Sequence, residues 1–470
     1  MAIYYVDSSI TDTNVASGTP DFTTYNPVTF ATDTGTDSVY KTIADVKAAT
    51  FVAGDNILFR RGDTWAEDWD IAMGGVSGNV ITIGSYGTGD LPKLQYLHQW
   101  GNGEYFLTIE NIEFLGSAGA GNIIQIYGGH DITIQNCKID TNGVDLSTLL
   151  NISSSITNRI VYNINVINCI GDGGGVTSGF NVAGDNSGAH DILFENNTIT
   201  NCTEIGLQAY ATSSDVYNIT FRRNTVSNTS LLNGAAHGIN VGWTIRDVIV
   251  ERNYCFDNAG FGIVMDAGVH DVVVKNNLCV NNGNNIGGQG DTYGEIYHIK
   301  FYNNTLVYGA GTTYAGLFLN IAQGGHDITF KNNIIVSNDS RQEIMDNHDN
   351  FTNIVSDYNC FQEKLDPNGA RFRYNNTNIY LAAWQAVGQD LHSIALDPQL
   401  AADYTLKSNS PCIDAGVDVG VTSDYAGITR PQRNACDIGA YEAIKSNLDI
   451  VRVKKSNLKR NFFNNSFFNV

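Results

Sequence analysis

The chain has 470 residues, of which 48 are Gly, 7 are Pro and 16% are charged, and its formal net charge is −21. This acidity argues against nucleic acid as a partner, because binding it requires Lys and Arg that neutralise phosphates, and no run of 18 apolar residues is present that would span a membrane. Plentiful Asn, Thr, Ile and Val, with few helical stretches, favour an all-β protein.

The first residues, "MAIYYVDSSI", contain neither a basic n-region nor an apolar h-region. No secretory signal is therefore visible. We expect an extracellular or virion location, reached either as a mature protein or by another route, such as the cell lysis that releases virion parts.

One phrase recurs along the middle of the chain. Its clearest copies are "HDITIQNCKI", "HDILFENNTI", "HDVVVKNNLC" and "HDITFKNNII", which begin at His130, His190, His270 and His326. Successive units start 24 to 32 residues apart, a period typical of stacked repeats. Apolar residues alternate within each unit, which indicates half-buried strands and excludes helical repeats. Each unit is therefore predicted to be one coil of a β-solenoid.

Most units carry asparagine six residues after their start. Asn tolerates a bent backbone, and its amide can donate to one neighbour and accept from the next. We predict that one ladder contains Asn197, Asn224, Asn253, Asn277, Asn304 and Asn333. A metal or acid–base role for the four His–Asp pairs is an alternative to local capping of a turn, and we favour capping.

Several segments resemble a known family. The segment "TIADVKAATFVAGDNILFRRGDTW" (residues 42–65), and "LAAWQAVGQDLHS", "LDPQL", "SPCIDAG" and "DIGAYE" (residues 381–442), resemble the first and closing segments of right-handed parallel β-helix proteins of the pectate-lyase-like superfamily. The wording "AIYYVDSSITDTN" resembles phage members most, and the whole resemblance spans about residues 38–442.

This resemblance implies an all-β, single-stranded right-handed parallel β-helix with a capping helix at its N-terminal end and an irregular C-terminal cap. The implied parts are an N-terminal strand, loop and capping helix (1–50), the β-helix (51–400), the C-terminal cap (401–442) and a basic, aromatic tail (443–470).

In this family ligands bind along the strand that precedes each His–Asp turn. Alternation directs Ile239, Val241, Ile263 and Met265 into the core. The predicted outward residues are Gln125, Tyr127, Asn151, Asn181, Gln208, Tyr210, Asn240, Val264, Asp266, Phe318 and Asn320, and neighbouring turns add His237, Trp243, Gln289 and Asp291. Amides with exposed aromatic rings suit sugars, because rings cover apolar sugar faces and amides bind hydroxyls. The predicted sugar-binding residues are Asn181, Gln208, Tyr210, Asn240, Trp243, Gln289 and Asn320.

Catalysis is predicted to depend on Asp266. Lyases of this fold use Lys or Arg as the base together with Ca²⁺, and no Lys or Arg is among the predicted groove residues. Hydrolases of this fold use paired carboxylates, and Asp291 lies about one coil after Asp266. His237, one coil before, would orient or tune that carboxylate. The alternative is that Asp266 only bonds a turn or a sugar hydroxyl. No cofactor is predicted, with Ca²⁺ left open.

Three classes of function remain open. The first is a polysaccharide depolymerase, a glycoside hydrolase more than a lyase. The second is a non-catalytic phage tailspike or other virion protein that binds host-surface glycans. The third is a purely structural or adhesive β-helix. The first and second share polysaccharide as the partner.

Two features near the C-terminus lead to further expectations. Cys412 and Cys436 either form a disulfide or remain free thiols. Residues 445–470 contain six basic residues against one Asp, and four Phe. That tail is predicted to bind either the flank of its own chain or, as we favour, a neighbouring subunit of a homotrimer.

Overall fold

A computed structural model describes residues 1–14, 17–99, 105–119, 121–154, 159–175, 177–211, 213–230, 236–290, 294–308, 317–321, 324–337, 345–347, 351–364, 369–374 and 377–444. The tail prediction therefore lies outside the described residues. In the described part of the chain, no helix has the length and apolar character needed to cross a membrane.

The regular structure of the described chain is almost entirely β-strand. Its helices are α1 (Ile43–Ala48) and α2 (Leu381–Ala386). Its strands are β1 (Ile3–Val6), β2 (Phe22–Tyr25), β3 (Asp37–Tyr40), β4 (Asn56–Arg60), β5 (Trp69–Ile71), β6 (Ile81–Tyr86), β7 (Lys93–Leu94), β8 (Leu97–Gln99), β9 (Leu107–Glu110), β10 (Glu113–Leu115), β11 (Asn122–Tyr127), β12 (His130–Gln135), β13 (Lys138–Asp140), β14 (Thr148–Ser153), β15 (Val161–Ile167), β16 (Ile170–Asp172), β17 (Ser178–Gly184), β18 (Ala189–Glu195), β19 (Thr198–Thr200), β20 (Leu207–Ala211), β21 (Val216–Arg222), β22 (Thr225–Ser227), β23 (Ile239–Gly242), β24 (Arg246–Glu251), β25 (Tyr254–Phe256), β26 (Phe261–Asp266), β27 (His270–Lys275), β28 (Leu278–Val280), β29 (Asn284–Gly290), β30 (Ile296–Tyr302), β31 (Thr305–Val307), β32 (Leu317–Ile321), β33 (Gly325–Lys331), β34 (Ile334–Ser337), β35 (Met345–Asn347), β36 (Phe351–Asp357), β37 (Cys360–Glu363), β38 (Arg371–Tyr374) and β39 (Thr377–Tyr380).

These strands form three long sheets, which the chain visits in turn. The 15-stranded sheet holds the His–Asp phrases, in the order β2-β3-β1-β4-β6-β9-β12-β15-β18-β21-β24-β27-β30-β33-β36. The 13-stranded sheet, called the groove sheet below, runs β39-β38-β35-β32-β29-β26-β23-β20-β17-β14-β11-β8-β5. The 11-stranded sheet runs β37-β34-β31-β28-β25-β22-β19-β16-β13-β10-β7. Successive coils pair in parallel, as β24 does with β27. The predicted parallel β-helix is confirmed.

The core is a continuous column of apolar side chains between the three sheets. Val272 and Val274 are fully buried, whereas Val273 on the opposite face of the same strand is half-buried. The alternation in the sequence therefore marks the core face, as predicted. The residues predicted to point inward from the groove sheet are also fully buried: Ile239, Val241, Ile263 and Met265.

The asparagine ladder is present as predicted. Asn277 Oδ1 accepts from the backbone N–H of Asn253 at 2.9 Å and from its Nδ2 at 3.0 Å. Asn277 Nδ2 in turn donates to the carbonyl of Val250 at 2.8 Å and to Asn304 Oδ1 at 3.0 Å. The same pattern recurs from Asn197 to Asn333. The ladder thus pairs buried turn backbone that water does not reach.

The His–Asp pairs have the geometry of local caps. In all four, Nδ1 of the His lies 2.6–2.8 Å from Oδ2 of the following Asp. Each of these Asp residues has a φ of 54–56°, a left-handed conformation that Asp tolerates better than most residues. The pairs therefore stabilise the bend at which each coil enters the 15-stranded sheet, which supports capping over a catalytic role.

Both ends of the helix are covered. At the N-terminal end, α1 begins with a capping box between Thr42 and Asp45 and buries Ile43 and Val46. At the C-terminal end, Trp384 of α2 is buried and stacks on Phe372 of β38. The irregular segment that follows lies along the flank of three successive coils, where the carbonyls of Ser423, Asp437 and Val417 accept hydrogen bonds from Asn276, Asn303 and Asn332. The helix at the N-terminal end is present as predicted.

The suggested disulfide in the C-terminal cap is wrong. Cys412 and Cys436 are both buried free thiols. Cys412 packs in an apolar cluster with Ile334, Cys360 and Ile438, and Cys436 is not part of that cluster. Burial as small apolar side chains accounts for both residues without a covalent bond.

Candidate functional site

A groove of about 490 Å³ lies on the groove sheet, over the strands β14, β17, β20, β23 and β26 and their preceding turns. Its lining residues are Ser147, Thr148, Ser178, Asn181, Glu204, Ile205, Gln208, Tyr210, His237, Asn240, Trp243 and Asp266. The groove brings together most of the residues that the sequence predicted for the site.

Strand register arranges these side chains in rows across the coils. Asn181 is paired with Gln208, and Gln208 with Asn240, so their side chains follow one another across the floor of the groove. Two residues further along, Tyr210 is paired with Gly242, and the register of β23 with β26 places Asp266 level with that glycine. Since neighbouring strands lie about 4.8 Å apart, the Cα atoms of Tyr210 and Asp266, two strands apart, are separated by about 10 Å.

Gly242 lies between Tyr210 and Asp266 and, having no side chain, leaves a gap between the Tyr210 ring and the Asp266 carboxylate. A Cβ at this position would lie 2.6 Å from Asn240 Oδ1 and 3.2 Å from Asp266 Oδ2. The first distance is shorter than a carbon–oxygen contact allows. The absence of a side chain at Gly242 is therefore what allows Asn240 and Asp266 to approach each other.

Asp266 is held by a hydrogen bond from its neighbour in the preceding coil. Asn240 Nδ2 donates to Asp266 Oδ2 at 2.8 Å. Asp266 is 9% exposed and Asn240 is 2% exposed. The amide therefore fixes the orientation of a largely buried carboxylate and partly replaces its hydration.

His237 lies in the turn that leads into β23 and is buried. Its Nδ1 accepts a hydrogen bond from the backbone N–H of Phe261 at 3.0 Å, which places the ring proton on Nε2. Burial lowers the pKa of His237 to about 4. The imidazole is thus neutral at physiological pH, and it offers an N–H donor rather than a positive charge.

Two aromatic rings form one wall of the groove. The rings of Tyr210 and Trp243 meet edge to face with their centroids 5.2 Å apart. Trp243 has a φ of 48°, an uncommon conformation for a bulky residue. Burial, and then the negative charge of Asp185, raise the pKa of Tyr210. Both rings are half-buried and reach the groove, as the sequence predicted.

Glu204 is a groove residue that the sequence reasoning missed. It is half-buried in the turn before β20 and accepts a hydrogen bond from the Ser178 hydroxyl at 2.9 Å. Aligning "EIGLQ" with "AHGIN" of the next coil would have found it, because this alignment places Glu204 in the turn that corresponds to the turn of His237. Glu204 precedes β20 and Asp266 ends β26, two coils further on, so the two carboxylates lie diagonally apart across these strands and do not face each other.

Three residues predicted for the site are not among the described residues that line this groove: Gln289, Asp291 and Asn320. Gln289 and Asn320 continue the row of Asp266, because β26 pairs with β29 and β29 with β32 at these positions. Asp291 lies outside the described residues. Glu295, close to it in sequence, is exposed and lies 3.7 Å from His326, on the 15-stranded sheet.

Cations are scarce around the groove. None of the described residues that line it is Lys or Arg. The one set of acidic side chains with metal-ligand spacing in the described chain is Asp12, Asp21 and Asp45, whose carboxylate oxygens lie within 4.8 Å of one another. That set is at the N-terminal cap, where Asp45 also closes the capping box of α1.

Comparison with known proteins gives likenesses of fold alone. No family model and no curated protein matches the chain. The solved structure of pectate lyase Pel9A is 16% identical, with 94% of this chain and 96% of that chain covered, at a TM-score of 0.48. The complex of XylC with xylose is 10% identical, with coverages of 94% and 99% and a TM-score of 0.49.

A third solved structure, the GH136 lacto-N-biosidase from Eubacterium ramulus, is 14% identical. The match covers 70% of this chain and 64% of that chain, at a TM-score of 0.47. Likenesses this distant carry no argument about activity. The assignment rests instead on the three parallel sheets of the chain itself. This protein is a parallel β-helix whose coils form three sheets.

Proposed function

We propose that the groove binds a polysaccharide that contains no acidic sugars and hydrolyses its glycosidic bonds. One observation carries the proposal: the aromatic wall of Tyr210 and Trp243 stands across the Gly242 gap from the oriented carboxylate of Asp266. A sugar ring in that gap would stack on the aromatic wall and present its oxygens to Asp266.

In the proposed reaction Asp266 is the groove carboxylate that acts at the glycosidic bond. Hydrolysis requires a second carboxyl group, either as the partner acid or as the base for water. Asp291, which follows Asp266 in the sequence, is the proposed second group. His237 is not assigned a role at Asp266 in this scheme, because it contacts Phe261 at the start of β26 whereas Asp266 ends that strand, and Asn240 is the positioning residue.

The proposal excludes a polyuronate as the preferred ligand. A groove lined by Glu204 and Asp266 and by no Lys or Arg repels a chain of carboxylates. This charge pattern also disfavours the lyase reaction, which needs a cationic or metal-assisted site beside the uronate carboxylate.

The test is reducing-end release from a panel of capsular, algal and cell-wall polysaccharides, with wild type and Asp266→Asn. Asn is nearly isosteric and still accepts a hydrogen bond from Asn240, so folding is expected to persist and glycan binding to remain measurable while release falls at least about 100-fold. Asp90→Asn, an exposed site remote from the groove sheet, is the control for loss of one charge. Release by Asp266→Asn at the wild-type rate would remove Asp266 from the mechanism.

A non-catalytic glycan-binding protein, such as a tailspike component, is the second candidate. It is favoured by the wide separation of Glu204 and Asp266, which leaves one oriented carboxylate in the described groove. Binding to a glycan array without reducing-end release would support this candidate. The predicted virion location and homotrimer also remain proposals, and light scattering after deletion of residues 445–470 tests the trimer.

A further inference from the structure

We infer that the polysaccharide recognised by this groove carries protonated amino groups, as a linear polymer of de-N-acetylated hexosamine does. The inference rests on the proposed glycan-binding function and specifies its ligand. Three features of the groove support it independently: charge, an excess of buried hydrogen-bond acceptors, and the aromatic wall.

Among the described residues that line the groove, every charged side chain is acidic. Glu204 and Asp266 both line the groove, and Asp185, directly after β17, is close enough to Tyr210 to influence its ionisation. Lys and Arg are absent from the described lining. The whole chain carries a net charge of −21. A cationic ligand is therefore drawn toward the groove, and its charge offsets that of the carboxylates.

The floor of the groove presents acceptors that the protein does not satisfy. Asn181 is 9% exposed and Asn240 is 2% exposed, and both line the groove. Within the described chain, Oδ1 of each has no hydrogen-bond partner. Their amide nitrogens are used, by Asn151 and Asp266 respectively. Since buried acceptors without donors are costly, a ligand rich in donors is favoured.

An ammonium group supplies what this floor lacks. It offers three N–H donors and no acceptor, whereas a sugar hydroxyl brings lone pairs as well as a donor. The acceptors of Asn181 and Asn240, together with the carboxylate of Asp266, match the ammonium more fully than they match a hydroxyl. An N-acetyl group in its place would remove the charge and two of the three donors.

The aromatic wall suits the same ligand. Cations bind the faces of Trp and Tyr rings within about 6 Å of the centroid. Trp243 and Tyr210 meet edge to face, so the two rings do not cover each other by stacking. One sugar can then stack on the wall while the amino group of the same or a neighbouring sugar contacts a ring face.

The experiment compares matched polymers by calorimetry. Linear polymers of glucosamine and of galactosamine, mostly de-N-acetylated, are each titrated against their own fully re-acetylated form. The titrations run at about pH 5.5, where amines are protonated and where His237, with a pKa of about 4, is still neutral. We expect at least about tenfold tighter binding of one free-amine polymer than of its acetylated form, at low salt.

Three variants distinguish an effect of the groove carboxylates from an effect of the net negative charge of the whole protein. Glu204→Gln and Asp266→Asn should each reduce the preference for the amine several-fold, whereas Asp90→Asn, which removes the same charge elsewhere, should leave it unchanged. The preference should also shrink between about 0.05 M and about 0.5 M salt. Equal reduction by all three variants would assign the effect to net charge and overturn the inference.

The remaining outcomes separate this inference from the proposed function. If every re-acetylated polymer binds as tightly as its free-amine form, the ligand is not an amino polymer and glycan binding itself stands. If another neutral polysaccharide of the panel binds and the amino polymers do not, the same conclusion holds. If no glycan of any kind binds, both the inference and the proposed function fail.

Discussion

Asn240 and Asp266 meet beside Gly242, with a 2.8 Å hydrogen bond from Asn240 Nδ2 to Asp266 Oδ2. The pair joins two consecutive coils at the point where a side chain on β23 would otherwise stand between them. This contact determines the orientation of the carboxylate that we propose to be catalytic, and it leads to the first prediction.

Gly242→Ala should impair the site while leaving the fold in place. The added Cβ would lie 2.6 Å from Asn240 Oδ1, so the amide must move and Asp266 loses its fixed orientation. We expect glycan turnover, or binding if there is no turnover, to fall at least about tenfold, because small displacements of catalytic groups are costly. Gly84→Ala on β6, whose Cβ would meet no atom closer than 3.3 Å, is the control. Wild-type activity in Gly242→Ala would contradict this role.

The aromatic wall should contribute to binding rather than to folding. Trp243→Ala and Tyr210→Ala are expected to weaken glycan binding by about 0.5–1.5 kcal/mol, the value of an aromatic stacking contact, with little change in the melting temperature. Tyr358→Ala serves as the matched control, since Tyr358 also has a positive φ, of 57°, and stacks on His392 away from the groove sheet. Equal losses of binding and of stability would show that the rings belong to the core.

Protonation of His237 should lower the free energy of unfolding as the solution becomes more acidic. Its pKa is about 4 in the folded protein and about 6.5 when the chain is unfolded. Between these values the unfolded chain takes up a proton that the folded chain does not. The free energy of unfolding therefore falls as the pH drops from about 6.5 to about 4, by about 3 kcal/mol at most.

His237→Asn should remove this component, because Asn can still accept from the backbone N–H of Phe261 but does not titrate. Urea unfolding at about pH 7 and about pH 4.5 measures the difference for both proteins. An identical loss of stability in both would show that other groups cause the whole effect.

The asparagine ladder should be a major source of stability. Asn277→Leu leaves the backbone N–H of Asn253 and the carbonyl of Val250 without the partners they have in the wild type. Each buried group left unpaired costs about 1–3 kcal/mol, and we expect a loss of at least that size in chemical unfolding. Asn165→Leu is the matched control, because Asn165 is half-buried on an outward strand face and the next coil already has Leu193 at the paired position. A wild-type melting curve for Asn277→Leu would contradict the ladder.

The sequence by itself determined the architecture. Period-two alternation assigns Val272 and Val274 to one face of a strand, and a repeat of 24 to 32 residues requires neighbouring units to stack, since one coil cannot bury its own apolar face. The recurring asparagine fixed one column of the stack, because few residues both accept a bent backbone and bond to copies of themselves. Tyr210 and Asp266 could be predicted as groove residues because alternation determines which way a side chain points, whereas Trp243 was predicted from the neighbouring turn.

Only the tertiary structure decided which outward side chains meet. Register between coils depends on the pairing of every strand across turns of unequal length, which the local pattern does not contain. For that reason the gap at Gly242, the Asn240–Asp266 contact and the place of Glu204 in the groove emerged from the structure, as did the free thiols of Cys412 and Cys436. Burial is likewise a property of the assembled stack: it lowers the pKa of His237 and leaves the acceptors of Asn181 and Asn240 unsatisfied, because the low dielectric and the lack of water exist only after the coils have packed.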